Sequence, residues 1–217
     1  MENNKSIFIA TAQPFSGKSI VALGLVDMLL AKTQKIGYFK PIINDKPTVK
    51  KDSHIDTLIN HFKLPIQYDK SYAYTKEEAN TLAEAGLQGE IIDTIISRYK
   101  SLEEAYDFTI IEGSDFLGEG TAFEFDANVT IAKNLGTPVV IVTSGDGKNI
   151  SQITNSAIVT IKNFLHRKVK VIAVVVNKVD PDEVDEVKKE LQKQLKKDML
   201  VTVIPKITEL KSPSMKE

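Results

Sequence analysis

Residues 11–20 read TAQPFSGKSI. The stretch comes close to the phosphate-loop pattern G-x-x-x-x-G-K-[ST], with Ala12 in place of the first glycine. An apolar run, SIFIATA at 6–12, precedes it, and a helical pattern, SIVALGLVDMLLAKT at 19–33, follows it. Strand, loop and helix in that order are the context a phosphate loop needs. Gly17 lets the backbone turn its N–H groups inward without a Cβ clash. Lys18 brings a cation to the β and γ phosphates, and Ser19 brings a hydroxyl to Mg2+. The helix N-terminus adds roughly half a positive charge. Gln13, Phe15 and Ser16 complete the cradle. Alanine is the mildest replacement for the first glycine where φ stays negative, and Pro14 stiffens the loop while removing an N–H donor.

Working outward, short β-branched runs alternate with amphipathic segments. Strands are expected at 6–12, 35–42, 107–113, 138–145, 169–178 and 200–205. Pro41 fits the end of its strand better than the middle. Helices are expected at 19–33 and 52–62, from Thr75 to a break at Gly86 and Gly89, and again over 91–105. Others follow at 126–136, with Asp126 as cap and Gly136 as stop, at 149–166, and at 182–197. Residues 63–75, rich in tyrosine, and 114–125 read as loops. Continuous Val/Ile runs mark strands buried on both faces. The fold class is therefore α/β: a three-layer, doubly wound, mostly parallel sheet of the P-loop NTPase fold, with ligands at the carboxyl ends of the strands.

Composition bounds the possible functions. The chain has 217 residues, 42% hydrophobic and 26% charged, enough for a single α/β core. Its formal net charge of -1 gives no general attraction to nucleic acid or an anionic membrane. It has no cysteine, which removes disulfides, thiolate metal sites and cysteine nucleophiles and suits a cytoplasmic setting. No apolar stretch is long enough to span a membrane, and MENNKSIFIATAQ is not a signal peptide.

Candidate chemistry follows the strand ends. IIEGSD places Glu112 where a phosphate-loop protein needs a carboxylate that meets Mg2+ directly or through water. Asp115 fits a turn or cap. FKPI places Lys40 before Pro41, where it could bind a γ phosphate or a substrate carboxylate. Asp52 opens the next helix as an N-cap or as another magnesium ligand. VVVNKVD spells N-K-x-D, a guanine-reading pattern. Asp180-Pro181 equally fits the start of a helix, and Asn177, beside Lys178, suits a generic base contact. His54, His61 and His166 have no acidic or cysteine partner at metal-ligand spacing and read as surface or helix residues.

Taken together, A-x-x-x-x-G-K-S, K-P, E-G and V-N-K resemble dethiobiotin synthetase and its relatives. They most resemble the synthetase-like N-terminal domain of long-form phosphate acetyltransferases. The resemblance covers roughly residues 5–212. It implies ATP and Mg2+ as cofactors, held by Lys18 and Ser19, with Asp52 and Glu112 at the metal, Lys40 on a substrate carbamate and Asn177 on adenine. Lys18 and Lys40 would be the catalytic groups in an active enzyme. After E-G, Ser114, Asp115 and the bulky Phe116 replace the synthetase's A-G-G and fit the acetyltransferase domain better. The resemblance also implies a domain over 1–210, with 211–217 opening a linker to further domains, since Ser212-Pro213 signals a helix entry. Three readings follow: a nucleotide-binding regulatory or assembly domain, most simply in a homo-oligomer, with partners in the rest of its parent chain; a stand-alone ATP-dependent carboligase; and an oligomerisation domain without nucleotide.

Overall fold

The computed structural model describes residues 5–11, 13–44, 50–114 and 121–207, with the backbone alone at 121–125. Ala12, Asp115, Phe116 and the 211–217 segment lie outside the described residues. The buried Val/Ile runs become parallel strands. These are β1 (Ser6–Thr11), β2 (Ile36–Ile43), β3 (Tyr72–Thr75), β4 (Phe108–Glu112), β5 (Val139–Ser144), β6 (Val171–Val179) and β7 (Leu200–Pro205). They form a seven-stranded sheet in the order β3-β2-β4-β1-β5-β6-β7. Every pairing among them is parallel.

The connecting helices are α1 (Lys18–Leu30), α2 (Ser53–Phe62), α3 (Lys76–Glu84), α4 (Gln88–Ala105), α5 (Thr121–Leu135), α6 (Ile150–His166) and α7 (Val184–Gln194). They cover both faces of the sheet, which explains why β5 is buried at every position. The chain leaves β1 toward β2 on one side, and β5 lies on the other. The carboxyl end of β1 is thus the place where the winding reverses, and crevices for ligands form there. In-register pairing brings Glu112 level with Ile9, and Asn177 level with Ser144.

Four local expectations are corrected. Residues 72–75, read as loop, pair with β2 as the edge strand β3, through Lys40↔Tyr72 and Ile42↔Tyr74. Pro41 lies inside β2, past Phe39, the last residue paired with β4, so its missing N–H costs no bond to β4. Gly86, at φ 78°, ends α3, but Gly89 falls in the first turn of α4 instead of breaking it. The backbone is already helical at Thr121, so Asp126 lies inside α5, where its Oδ1 accepts from Arg167 Nη2 at 2.6 Å. Among the described residues no helix is long and apolar enough to cross a membrane.

Helix entry is set by local chemistry as well as by packing. Thr75 and Glu78 form a reciprocal capping box at α3, as do Asn149 and Gln152 at α6. Replacing Asn149 with alanine should lower stability by about 1 kcal/mol in denaturant unfolding, with the slope unchanged.

Candidate functional site

Phosphate-loop geometry starts with the backbone. Phe15 and Gly17 take positive φ values of 54° and 86°, which turn the chain back over the start of α1. Phe15 projects outward and is 79% exposed. Gly17 is sterically required as well as conformationally suited, because a Cβ there would meet Asn177 Nδ2 at 2.0 Å. Thr11 anchors the loop's entry, its Oγ1 accepting from Gln13 N at 3.2 Å. On the far side Asn177 Nδ2 donates to Ser16 O at 3.1 Å, and Lys178 Nζ donates to Phe15 O at 2.7 Å. Asn177 Oδ1 accepts from Lys178 N at 2.9 Å. The residues expected to touch a base therefore brace the loop directly.

Between the loop and the end of β7 lies a cavity of about 500 Å³. Its outer wall is Lys178 and the segment Ile204, Pro205, Lys206 and Ile207. The sequence pattern marked Lys178 but not the 204–207 segment; only the strand order places β7 beside β6. No side chain caps α1, which leaves its positive end to the loop.

At the other end of the loop stands Glu112, fully buried at the tip of β4. Tyr38 donates its hydroxyl to Oε2, and His54 Nδ1 lies 2.9 Å from Oε1. Lys18 Nζ is 3.8 Å from the same Oε1 and also donates to Gly113 O and, at 3.2 Å, to Ser114 O. Burial alone pushes the Glu112 carboxyl up. The hydrogen bond from His54 and the charges of Lys18, Lys40 and His54 outweigh it, holding the carboxyl below its ordinary value. His54, read from sequence as a bystander, is in the site. Its partner is 58 positions away in sequence, too far for any spacing rule.

Lys40 and Asp52 form a buried pair at 2.9 Å. Asp52 also caps α2, its Oδ1 accepting from His54 N at 3.0 Å and Ile55 N at 3.2 Å. Both of its oxygens are thus engaged within the protein. Gly113 is needed for a close approach, since a Cβ there would lie 2.7 Å from Asn128 Oδ1. Asn128 of α5, which sequence reading did not single out, holds the backbone after β4: Ser114 N donates to its Oδ1 at 2.8 Å. Lys148, after β5, was also missed. It donates to Gln13 Oε1 at 2.6 Å and Ser144 O at 3.0 Å, and burial lowers its pKa. Asp180, in contrast, makes no side-chain cap, and Pro181–Glu183 is a 3-10 turn before α7.

These residues fit a phosphorylated ligand with a divalent cation. The loop offers a helix N-terminus, a lysine and a hydroxyl; β4 offers a carboxylate. Ser114 Oγ, buried at the end of β4, has no hydrogen-bond partner among the described residues, and a polar ligand there would satisfy it. Among the described residues no three His, Asp or Glu side chains converge as a complete metal cage. A cation would therefore share its ligands with phosphate and water, the usual arrangement for Mg2+.

Glu112→Gln should cost roughly 3 kcal/mol at neutral pH, because Lys18 and His54 lose their buried carboxylate. A carboxyl with a lowered native pKa stabilises fully above its ordinary value, here 4.5, and that contribution is lost as pH falls through the native value. The difference between wild type and variant should hold above pH 4.5 and shrink in stronger acid, as read by denaturant unfolding across pH. Gly17→Ala should strain the loop and lower the melting temperature by several degrees, about 1–3 kcal/mol.

A family model described as an AAA domain matches residues 5–214. Among curated proteins, a phosphate acetyltransferase of Nitratidesulfovibrio vulgaris is 37% identical over 221 residues, covering 100% of this chain and 31% of that protein. A second, from Synechocystis, is 34% identical and covers 98% of this chain and 31% of its own length. An ATP-dependent dethiobiotin synthetase of Clostridium kluyveri is 26% identical, covering 82% of this chain and 76% of that protein. The chain thus spans about a third of the acetyltransferases it matches. Among solved structures, the signal recognition particle receptor FtsY of Elizabethkingia anophelis superposes with a TM-score of 0.59 at 13% identity, covering 94% of this chain and 59% of that one. A ParA family ATPase of Chlorobium tepidum gives 0.53 at 14% identity, covering 95% and 86%. Those likenesses establish the fold. With the family match running almost from end to end over a formed phosphate loop, the chain belongs to this AAA-domain family of P-loop proteins.

Proposed function

We propose that this chain is an ATP- and Mg2+-binding domain that regulates or assembles a phosphate acetyltransferase. That enzyme class moves acetyl between coenzyme A and phosphate, and the transfer chemistry would belong to the rest of the parent chain. The observation that carries the proposal is the 37% identity along the whole chain to a part of such an enzyme. The loop with Gly17, Lys18 and Ser19 supports the nucleotide, and the region after Glu112 supports the acetyltransferase side of the resemblance over the synthetase.

In this reading Gln13 to Ser19 surround the phosphates, and Lys18 would turn from the carbonyls of Gly113 and Ser114 to the β and γ phosphates. Asn177 and Lys178 border the base, against the wall ending in Ile207. Ser19, Glu112 and Asp52 are the residues that would hold the metal, Asp52 while also paired with Lys40. Bound Mg2+ would neutralise phosphate charge. Remaining domains of the parent chain, in a homo-oligomer in the cytoplasm, would receive the signal.

A second reading, a stand-alone carboligase, is favoured by the 76% coverage of a dethiobiotin synthetase. It needs Lys40 on a substrate, and here Lys40 is buried against Asp52. That pairing weighs toward a binding domain.

Calorimetric titration of the chain with ATP-Mg2+ tests the proposal. Wild type should release heat. Lys18→Ala should bind roughly 10- to 100-fold more weakly, the loss of about 1.5–3 kcal/mol expected for a hydrogen bond to a charged group. No heat from wild type up to millimolar ATP would defeat the binding claim. GTP in the same titration reads the N-K-x-D question, and turnover with diaminopelargonate and bicarbonate would favour the carboligase.

A further inference from the structure

β7 ends the sheet, and it lacks the devices that usually blunt a sheet edge. Its sequence, LVTVIP, holds no charged residue, and every position is exposed or only partly buried. Leu200 is 68% exposed. The opposite edge is protected: β3 is 4 residues long, and Arg98 Nη1 donates to Tyr72 O at 3.2 Å. Among the described residues no side chain is bonded to the backbone of Val201 or Val203.

Backbone alternation decides which groups face outward. Lys206 N donates to Val179 O of β6 at 2.7 Å. Successive residues of a strand turn their N–H and C=O groups to opposite sides. Leu200, Thr202 and Ile204 therefore bond toward β6, and Val201, Val203 and Pro205 turn their backbone outward. Pro205 has no N–H to give, which is why an edge tolerates it. Met199 N is already given to Lys196 O at 3.0 Å. Val201 and Val203 are thus the residues of this edge that can both donate and accept. An antiparallel strand of the same sequence satisfies both when Val201 of one copy faces Val203 of the other. Each such pair exchanges two hydrogen bonds, and Thr202 then lies on the two-fold axis in a non-hydrogen-bonded pair, with Cα atoms about 4.5 Å apart. Leu200 of one copy meets Ile204 of the other, an apolar cross-strand pair.

Charge agrees with this register. α7, packed on β7, begins with exposed Asp185 and Glu186 and is followed by exposed Lys196 and Lys197. A two-fold axis normal to the sheet keeps both α7 helices on one face and runs them antiparallel. The acidic start of each then lies toward the basic end of the other.

We propose that β7 is the seam of a symmetric dimer, in which two copies of this chain join edge to edge about Thr202 into one continuous sheet. The seam gives the homo-oligomer of the preceding reading a surface, and it stands whether or not the loop binds nucleotide.

Sedimentation and cross-linking of the whole chain test it. Wild type should sediment as a dimer at high micromolar concentration. The chain has no cysteine, so Thr202→Cys introduces a single one. With oxidised glutathione that variant should form a covalent dimer, since a Cα separation of about 4.5 Å suits a disulfide. Ser101→Cys, exposed on α4, should not. Thr202→Lys and Thr202→Glu should each weaken the dimer about tenfold, because like charges meet on the axis, and an equal mixture of the two should restore it as a heterodimer. Thr202 is exposed, so both variants should unfold at the wild-type denaturant midpoint. Monomeric wild type would overturn the inference, whatever else covers the edge. So would a dimer that keeps its affinity in both charged variants, a mixture that stays monomeric, or Thr202→Cys cross-linking no faster than Ser101→Cys.

Discussion

Glu112 is a charge held wholly out of water at the end of a central strand. Such a group costs several kcal/mol to desolvate and persists only where partners surround it. Here Lys18 comes from α1, His54 from α2 and Tyr38 from β2, so one carboxylate joins three elements to β4. The carboxyl end of the sheet is organised by this requirement. Lys18 is held beside the carbonyls that follow β4, His54 is turned toward Ser19, and Lys40, whose charge also acts on Glu112, is paired with Asp52. The pairs Lys18–Glu112 and Lys40–Asp52 are coupled, since the Lys40 charge also acts on Glu112.

The loop's other flank depends on a steric constraint. Asn177 fills the space where a side chain on Gly17 would stand, and its amide holds Ser16 O. The phosphate loop is thereby clamped between β4 and β6, with α1 directed into the gap. Phe15 and Ile207, both exposed at the cavity, are apolar surface at its mouth. A base entering beside them would gain contact area, and its phosphates would reach the α1 terminus.

Much of this could be read in the sequence because it is local. Gly17-Lys18-Ser19 between a strand and a helix specifies the loop, and uninterrupted valine and isoleucine specify the buried parallel strands. Thr75 and Glu78 announce a capping box three residues apart. What could not be read depends on tertiary neighbours. The brief β3 acquires its strand character from its register with β2, although Tyr-Ala-Tyr-Thr has the composition of a strand. His54 meets Glu112 only after α2 packs against α1 and β2, and Asn128 meets Ser114 only through the return of α5. Asn177, expected to contact a base, makes its observed bonds to Ser16 O of the loop and to Lys178 N, a bracing role that no spacing reveals.

A crystal structure grown with Mg2+ and a non-hydrolysable ATP analogue tests the central claim, that this loop is a working nucleotide site, most directly. The account predicts the triphosphate across the N-terminus of α1, Lys18 Nζ moved from Gly113 O to the β and γ phosphates, and the base in the cavity beside Lys178 and Ile207. Crystals from millimolar analogue with Lys18 still on the carbonyls of Gly113 and Ser114 and no triphosphate on the loop would contradict it.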